Sequence, residues 1–200
     1  ESAAPRPLAD RLRPATLEQV VGQAHLTAPD APIGRMVAQD RPGSVILWGP
    51  PGTGKTTIAR LMAERIDLAF VQLSAVFSGV ADLRKAFAEA RTRRPTGQGT
   101  LLFVDEIHRF NRAPQDGFLP VVEDGTVVLI GATTENPSFS VVGPLLSRSL
   151  LLTLQPHMSE DLGVLLDRAV QDERGLAGSV TLTAEAREHM LRVAGADARK

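Results

Sequence analysis

The sequence predicts an α/β fold built on a parallel sheet, and three observations predict it. Short apolar, β-branched runs recur as far as Leu154, helical patterns separate them, and a glycine-rich loop joins one run to the helix after it. That loop is Gly49-Pro50-Pro51-Gly52-Thr53-Gly54-Lys55-Thr56. Its order of strand, loop and helix gives the glycines a mechanical purpose, because they let backbone N–H groups approach an anion closely.

The elements follow in order. Residues 1–14 are polar and rich in arginine and proline (Pro5, Pro7, Pro14), and they read as an extended arm rather than a helix. Thr16-Leu17-Glu18-Gln19 fits a short capped turn with Thr16 as N-cap and Gln19 three residues on. A helix is predicted over Pro32–Gln39, then a strand over Ser44–Trp48 and a helix over Thr57–Arg65. Leu68–Leu73 reads as a strand. Ser78 is the predicted cap of a helix over Val80–Arg93, whose Val80, Leu83, Phe87 and Ala90 fall at helical spacing. After a turn at Thr96–Gly99, Thr100–Val104 is continuously apolar, the pattern of a strand covered on both faces. Val127–Ala132 and Leu150–Leu154 complete the strands.

From Pro156 the pattern changes to two amphipathic helices, Ser159–Arg174 and Thr183–Val193, each opened by a Ser or Thr cap. The predicted organisation is a nucleotide-binding core with its arm over residues 1–155 and the start of a small helical lid over 156–200. The first residue is not methionine and the lid pattern stops at Lys200, so the chain reads as a fragment.

Composition narrows the function classes. The chain has 200 residues, 43% of them hydrophobic, and a net charge of −1. No whole-chain basic field exists, so contact with a polyanion has to come from a local patch. Without cysteine there are no disulfides and no cysteine zinc sites. His25, His108, His157 and His189 are scattered, without metal-ligand spacing. Neither a secretory signal nor a membrane-length apolar run is present, and the expectation is a soluble intracellular protein.

The chemistry-bearing residues lie at strand ends. Lys55 can reach the β- and γ-phosphates of a nucleotide, and the Thr56 hydroxyl can ligate magnesium. Phe103-Val104-Asp105-Glu106 is an apolar strand ending in two acids. Asp105 suits the magnesium shell, and Glu106 can orient an attacking water. In Thr133-Thr134-Glu135-Asn136 a hydroxyl or amide can bond the γ-phosphate or the water. Thr134 is the first choice, with Thr133 and Asn136 as alternatives. Arg148 reads either as a finger supplied to a neighbouring subunit or as a surface arginine. Arg199 reads either as a lid residue reaching the phosphates or as a solvated arginine. The cluster His108-Arg109-Phe110-Asn111-Arg112 is the candidate for facing a central pore or DNA, while Arg91-Thr92-Arg93-Arg94 satisfies a helix C-terminus.

The ordered set of phosphate loop, Asp-Glu strand, Thr-ended strand, Ser147-Arg148 and late Gly195-Ala196-Asp197-Ala198-Arg199 resembles the AAA+ ATPases. Within that class it is similar to the clamp-loader and branch-migration branch. Leu12-Arg13-Pro14 followed by Val20-Val21-Gly22-Gln23 is like the arm that packs on adenine there. Three stretches resemble the replication-associated recombination protein A family, which includes the Werner-helicase-interacting ATPase. They are Ile46 to Thr57, Phe103 to Asn111, and Ile130 to Phe139, with Gln115-Asp116 and Phe118-Leu119-Pro120 between.

The resemblance implies that Lys55 and Thr56 are the Walker A pair, Asp105 and Glu106 the Walker B pair, Thr134 sensor 1, Arg148 the arginine finger and Arg199 sensor 2. The catalytic set would be Glu106, Thr134, Arg148 and Arg199. Val20, Val21, Gly22, Pro51, Gly52, Thr53, Gly54 and Thr57 would complete the nucleotide contacts, with ATP or ADP and Mg²⁺ as ligands. It also implies a DNA-dependent ATPase at stalled forks and gaps, a homo-oligomer (a tetramer), a meeting with single-strand DNA-binding protein, no membrane partner, and a cytoplasmic, nucleoid-associated place in bacteria. The chain departs from the family pattern at Val142-Gly143, at Leu150 and at Ala196.

Overall fold

A single parallel sheet has the strand order β2-β3-β4-β1-β5 in a computed structural model that describes residues 6–199. The strands are β1 (Val45–Trp48), β2 (Ala69–Ser74), β3 (Thr100–Asp105), β4 (Val128–Thr133) and β5 (Leu150–Thr153). The helices are α1 (Leu8–Arg11), α2 (Ala24–Thr27), α3 (Pro32–Ala38), α4 (Lys55–Arg65), α5 (Val80–Arg93), α6 (Arg112–Asp116), α7 (Phe118–Glu123), α8 (Pro137–Ser140), α9 (Gly143–Ser147), α10 (Ser159–Gln171) and α11 (Ala184–Ala194).

Because every pair is parallel, the C-terminal ends of β1, β3 and β4 open along one edge. Trp48 is in register with Thr133 of β4 and with Thr153 of β5, and Ser74 with Asp105. Ligands of such sheets bind outside that edge. Successive residues point to opposite faces, so Ile46 and Leu102 enter one apolar cluster and Leu47 and Phe103 the other. Both faces are covered, which is why β3 is apolar from Leu101 to Val104. Each fully buried Leu, Ile or Phe contributes about 1.5–3 kcal/mol relative to exposure. β2 and β5 are the edges and are less buried.

Several local expectations are corrected. The arm is not wholly extended: Asp10 and Arg11 donate to the Pro7 carbonyl (3.0 and 3.1 Å) and form α1. Proline is tolerated there because a first-turn N–H has no helical partner to lose. The part of the arm over residues 1–5, Pro5 among them, and Lys200 lie outside the described residues.

Two predicted caps differ for one reason, an aspartate at the third helical position. Gly79, not Ser78, opens α5, its N–H bonded to Asp82 (2.8 Å). Met158, not Ser159, opens α10, its N–H bonded to Asp161 (3.0 Å). Thr16 is the N-cap of the 3₁₀ turn Leu17–Gln19 as expected, without a side-chain cap bond, and Gln19 accepts from the Ala15 N–H (3.0 Å). Thr183 does cap α11, accepting from Ala186 (3.2 Å).

α10 and α11 follow the last strand and are joined by the Arg187–Asp167 pair (3.2 Å). Three arginine-to-carbonyl bonds tie the arm to the α10 region: Arg11 to Gly175 (2.7 Å), Arg168 to Gln19 (2.6 Å) and Arg174 to Arg13 (3.2 Å). Among the described residues no helix is long and apolar enough to cross a membrane.

Candidate functional site

The phosphate loop leaves β1 at Gly49, whose N–H bonds the Thr133 carbonyl (3.1 Å). Gly52 and Gly54 have φ of +73° and +104°, which side chains rarely adopt. A Cβ at Gly52 would also collide with the Asp197 carboxylate. Thr53 is fully buried and its hydroxyl donates to the Pro50 carbonyl (2.9 Å), tightening the turn. α4 begins at Lys55 with Gly54 as its N-cap, so its first N–H groups face the loop, the arrangement that attracts anions.

Lys55 is 8% exposed, and its ammonium donates to the Gly49 and Pro50 carbonyls at 2.7 Å each. An ammonium has three donors, so one remains for a ligand. Burial pushes the Lys55 pKa down; Asp105 and Glu106 work against that, Arg199 works with it, and Asp197 against it.

The two acids face this loop from the end of β3. The Glu106 N–H donates to the Asp105 carboxylate (3.1 Å). Glu106 itself has φ +53° and ψ +42°, a left-handed conformation that costs a non-glycine residue about 1–2 kcal/mol. It turns the chain sharply at the cleft. His108 lies against it, with Nε2 at 3.3 Å from Glu106 and 3.6 Å from Glu135, and Nδ1 at 2.8 Å from the Thr133 hydroxyl.

Of the His108–Arg112 cluster, His108 and Phe110 turn inward while the two arginines stay at the surface. The His108 side chain is only 3% exposed, and Phe110 is buried beside Phe118. Only Arg109, Asn111 and Arg112 of that run reach solvent.

The candidates at the end of β4 have different surroundings. Thr133 is fully buried and bonded to His108 and to the Glu135 backbone; Asn136 caps α8 through the Ser138 N–H (3.0 Å); Thr134 lines the cleft. The cleft has a volume of about 820 Å³. Pro51 to Thr57, Asp105 and Glu106 line its floor, Val20 and Val21 one wall, and α10, α11 and Arg199 the other. Gly22 does not line it. It turns at φ +79° beneath Asp161 and His157.

Arg199 donates to both oxygens of Asp197 (3.0 and 2.8 Å), and that bond raises its pKa. Arg148 stands apart. It is exposed at the end of α9, pairs with Glu123, donates to the Pro144 carbonyl (3.0 Å) and does not line the cleft.

Thr56 and Asp105 both line the cleft beside Lys55, and their hard oxygens suit magnesium. Among the described residues no group of three or more His, Cys, Asp or Glu could hold a metal by itself.

Gln23 was not among the site residues read from sequence, beyond its position in the arm motif. It is fully buried, donates to the Gln155 carbonyl (2.8 Å) and the Thr53 carbonyl (3.3 Å), and accepts from the Gln155 N–H (3.0 Å). Its partners lie 30 and 132 residues away, so no local pattern signals them. The same holds for Arg168.

Residues 45–152 match the family described as "ATPase family associated with various cellular activities (AAA)". The replication-associated recombination protein A of Escherichia coli K12 is 46% identical over 197 residues, 98% of this chain and 44% of that protein. The ATPase WRNIP1 of Dictyostelium discoideum is 41% identical over 165 residues, 82% of this chain and 19% of that protein. A Thermotoga maritima RuvB structure, described as a Holliday junction branch migration motor, superposes with a TM-score of 0.74. It is 25% identical, over 94% of this chain and 62% of that one. The chain thus spans less than half the length of the curated relatives it matches here.

Proposed function

Because the chain belongs to the AAA family of ATPases, we propose that it hydrolyses ATP to ADP and phosphate and couples this to remodelling of DNA or protein at stalled replication forks or gaps. The observation that carries the reading is the convergence of Lys55, Thr56, Asp105, Glu106, Thr134 and Arg199 on one cleft. The replication and recombination setting is supported by the printed name of the E. coli relative.

Each residue then has a task. The α4 N-terminus, the loop N–H groups and Lys55 bind the phosphates. Val20 and Val21, beside the α10–α11 wall, receive the base, and Gly22 turns the chain behind them. Thr56 and Asp105 hold magnesium, which neutralises phosphate charge when bound. Glu106 orients the attacking water and Thr134 bonds the γ-phosphate or that water. Arg199 reaches the phosphates from the lid. Arg148 acts in trans, on the nucleotide of a neighbouring copy, which is compatible with its exposure away from its own cleft.

In this reading residues 1–155 are the nucleotide-binding core and 156–200 the beginning of a helical lid. The working form is a homo-oligomer, a tetramer, in the bacterial cytoplasm near the nucleoid, with DNA and single-strand DNA-binding protein as partners.

The test is ATP turnover by the intact protein with and without forked or gapped DNA, alongside Glu106→Gln. DNA-stimulated turnover that falls about 10²–10⁴-fold in the variant, with ATP still bound, supports the reading. Tight ATP binding with negligible turnover under every DNA condition makes the protein a nucleotide-switched scaffold instead. Stimulation by a sliding clamp and primed DNA alone makes it a clamp-loader subunit.

A further inference from the structure

His108 is buried, it is not a phosphate ligand, and it stands between two carboxylates and a threonine. The two ring nitrogens face different partners, and those partners favour one tautomer. The Thr133 oxygen accepts from the Glu135 N–H (3.0 Å), and its one proton has two possible acceptors, His108 Nδ1 (2.8 Å) and the Glu135 carbonyl (3.1 Å). Donation to Nδ1 makes that nitrogen the acceptor and leaves the ring's single N–H on Nε2. Nε2 then faces Glu106 (3.3 Å) and Glu135 (3.6 Å) with a proton to share. The opposite assignment sets a bare lone pair between two carboxylates and repels both.

We propose that His108 is a positioning residue for Glu106: seated by Thr133, its Nε2–H holds the Glu106 carboxylate at the floor of the cleft, and Glu135 is the alternative acceptor of the same proton. This rests on the reading of Glu106 as the residue that orients water. The three partners differ in freedom. Thr133 is fixed in the sheet, the Glu106 side chain is 26% exposed into the cleft, and the Glu135 side chain is 62% exposed outside the cleft. The ring therefore connects a rigid strand end to a mobile carboxylate. The unusual backbone of Glu106 brings that carboxylate within reach of a histidine only two residues on.

The first experiment reads the ring directly. Imidazole ¹⁵N shifts of the nucleotide-free protein are expected to show His108 protonated at Nε2 and accepting at Nδ1. Thr133→Val is expected to erase that preference. An Nδ1–H tautomer overturns the proposal.

The second experiment is kinetic. His108→Ala is expected to lower kcat about 10–100-fold with KM and ATP affinity unchanged, since a misplaced catalytic group costs turnover rather than binding. His108→Gln, which keeps an N–H near the position of Nε2, is expected to recover most of the loss. An equal loss of ATP affinity, or a His108→Gln as slow as His108→Ala, overturns it. If His108→Ala does not fold, the His108→Gln and Thr133→Val measurements decide. Wild-type turnover in Glu106→Gln would defeat the parent reading. An inactive Glu106→Gln beside a fully active His108→Ala would defeat this inference alone.

Discussion

The two walls of the cleft are held by different means. The phosphate wall is built from strand ends. Gly49, Asp105 and Thr133 are set by the hydrogen-bond register of a sheet whose interior side chains are almost fully buried. The lid wall is set by single long-range bonds from Arg11, Arg168 and Arg174 to backbone carbonyls on the far side of a chain crossing. A ladder of many bonds fails only as a whole, whereas an isolated bond can be lost by itself. We expect the phosphate wall to be the rigid reference and the wall of α10 and α11, the proposed lid, the adjustable one.

Four substitutions would break or sharpen that contrast. The largest effect is expected at Arg148, which belongs to neither wall. Arg148→Ala should lower oligomer-dependent hydrolysis about 10³-fold or more while ATP affinity stays unchanged, checked by turnover against protein concentration. An equal fall in affinity would instead make it a local structural residue. Next comes Lys55→Ala in the rigid wall. It should weaken ATP binding about 10–100-fold in a fluorescent-nucleotide titration, the worth of a charge-assisted bond of about 1.5–3 kcal/mol.

Arg168→Ala, in the adjustable wall, removes one bond of about 1 kcal/mol and should weaken nucleotide binding about fivefold, with turnover of bound nucleotide unchanged. A loss as large as that of Lys55→Ala would mean that the walls are not independent.

The smallest effect concerns acid. The Arg174 hydrogen bond lowers the Asp172 pKa from 3.8 to about 2. A depressed carboxyl stabilises the fold above its ordinary pKa, and that contribution is lost as pH falls from 3.8 towards 2. Hydrogen exchange should therefore show the α10 C-terminus loosening across that window before β1 and β3 do. Asp172→Asn should abolish this pH dependence.

The same contrast explains what could be read from sequence. The strands were legible because apolar runs at β1, β3 and β4 must be continuous when both faces are covered. The phosphate loop was legible because Gly52, Gly54 and Lys55 act within one turn. The caps at Ser78 and Ser159 were misread because Asp82 and Asp161, a turn later, accept from Gly79, the residue after Ser78, and from Met158, the residue before Ser159. The setting of His108 was not legible because its partners include Thr133, which only the sheet brings beside it. Gln23 and Arg168 were not assigned to the site for a related reason, since each bonds backbone carbonyls, which have no residue identity to recognise.

Gln23 has a mechanical corollary. Its carboxamide both donates to and accepts from the backbone of Gln155, so that residue is clamped as firmly as one in a strand. The next residue is Pro156, whose ring fixes one of its two backbone torsions. A swing of α10 and α11 therefore finds its fulcrum beyond Pro156, in the few residues up to Met158. Such a swing would carry Arg199 across the mouth of the phosphate loop and leave Thr53, bonded to the same amide, in place.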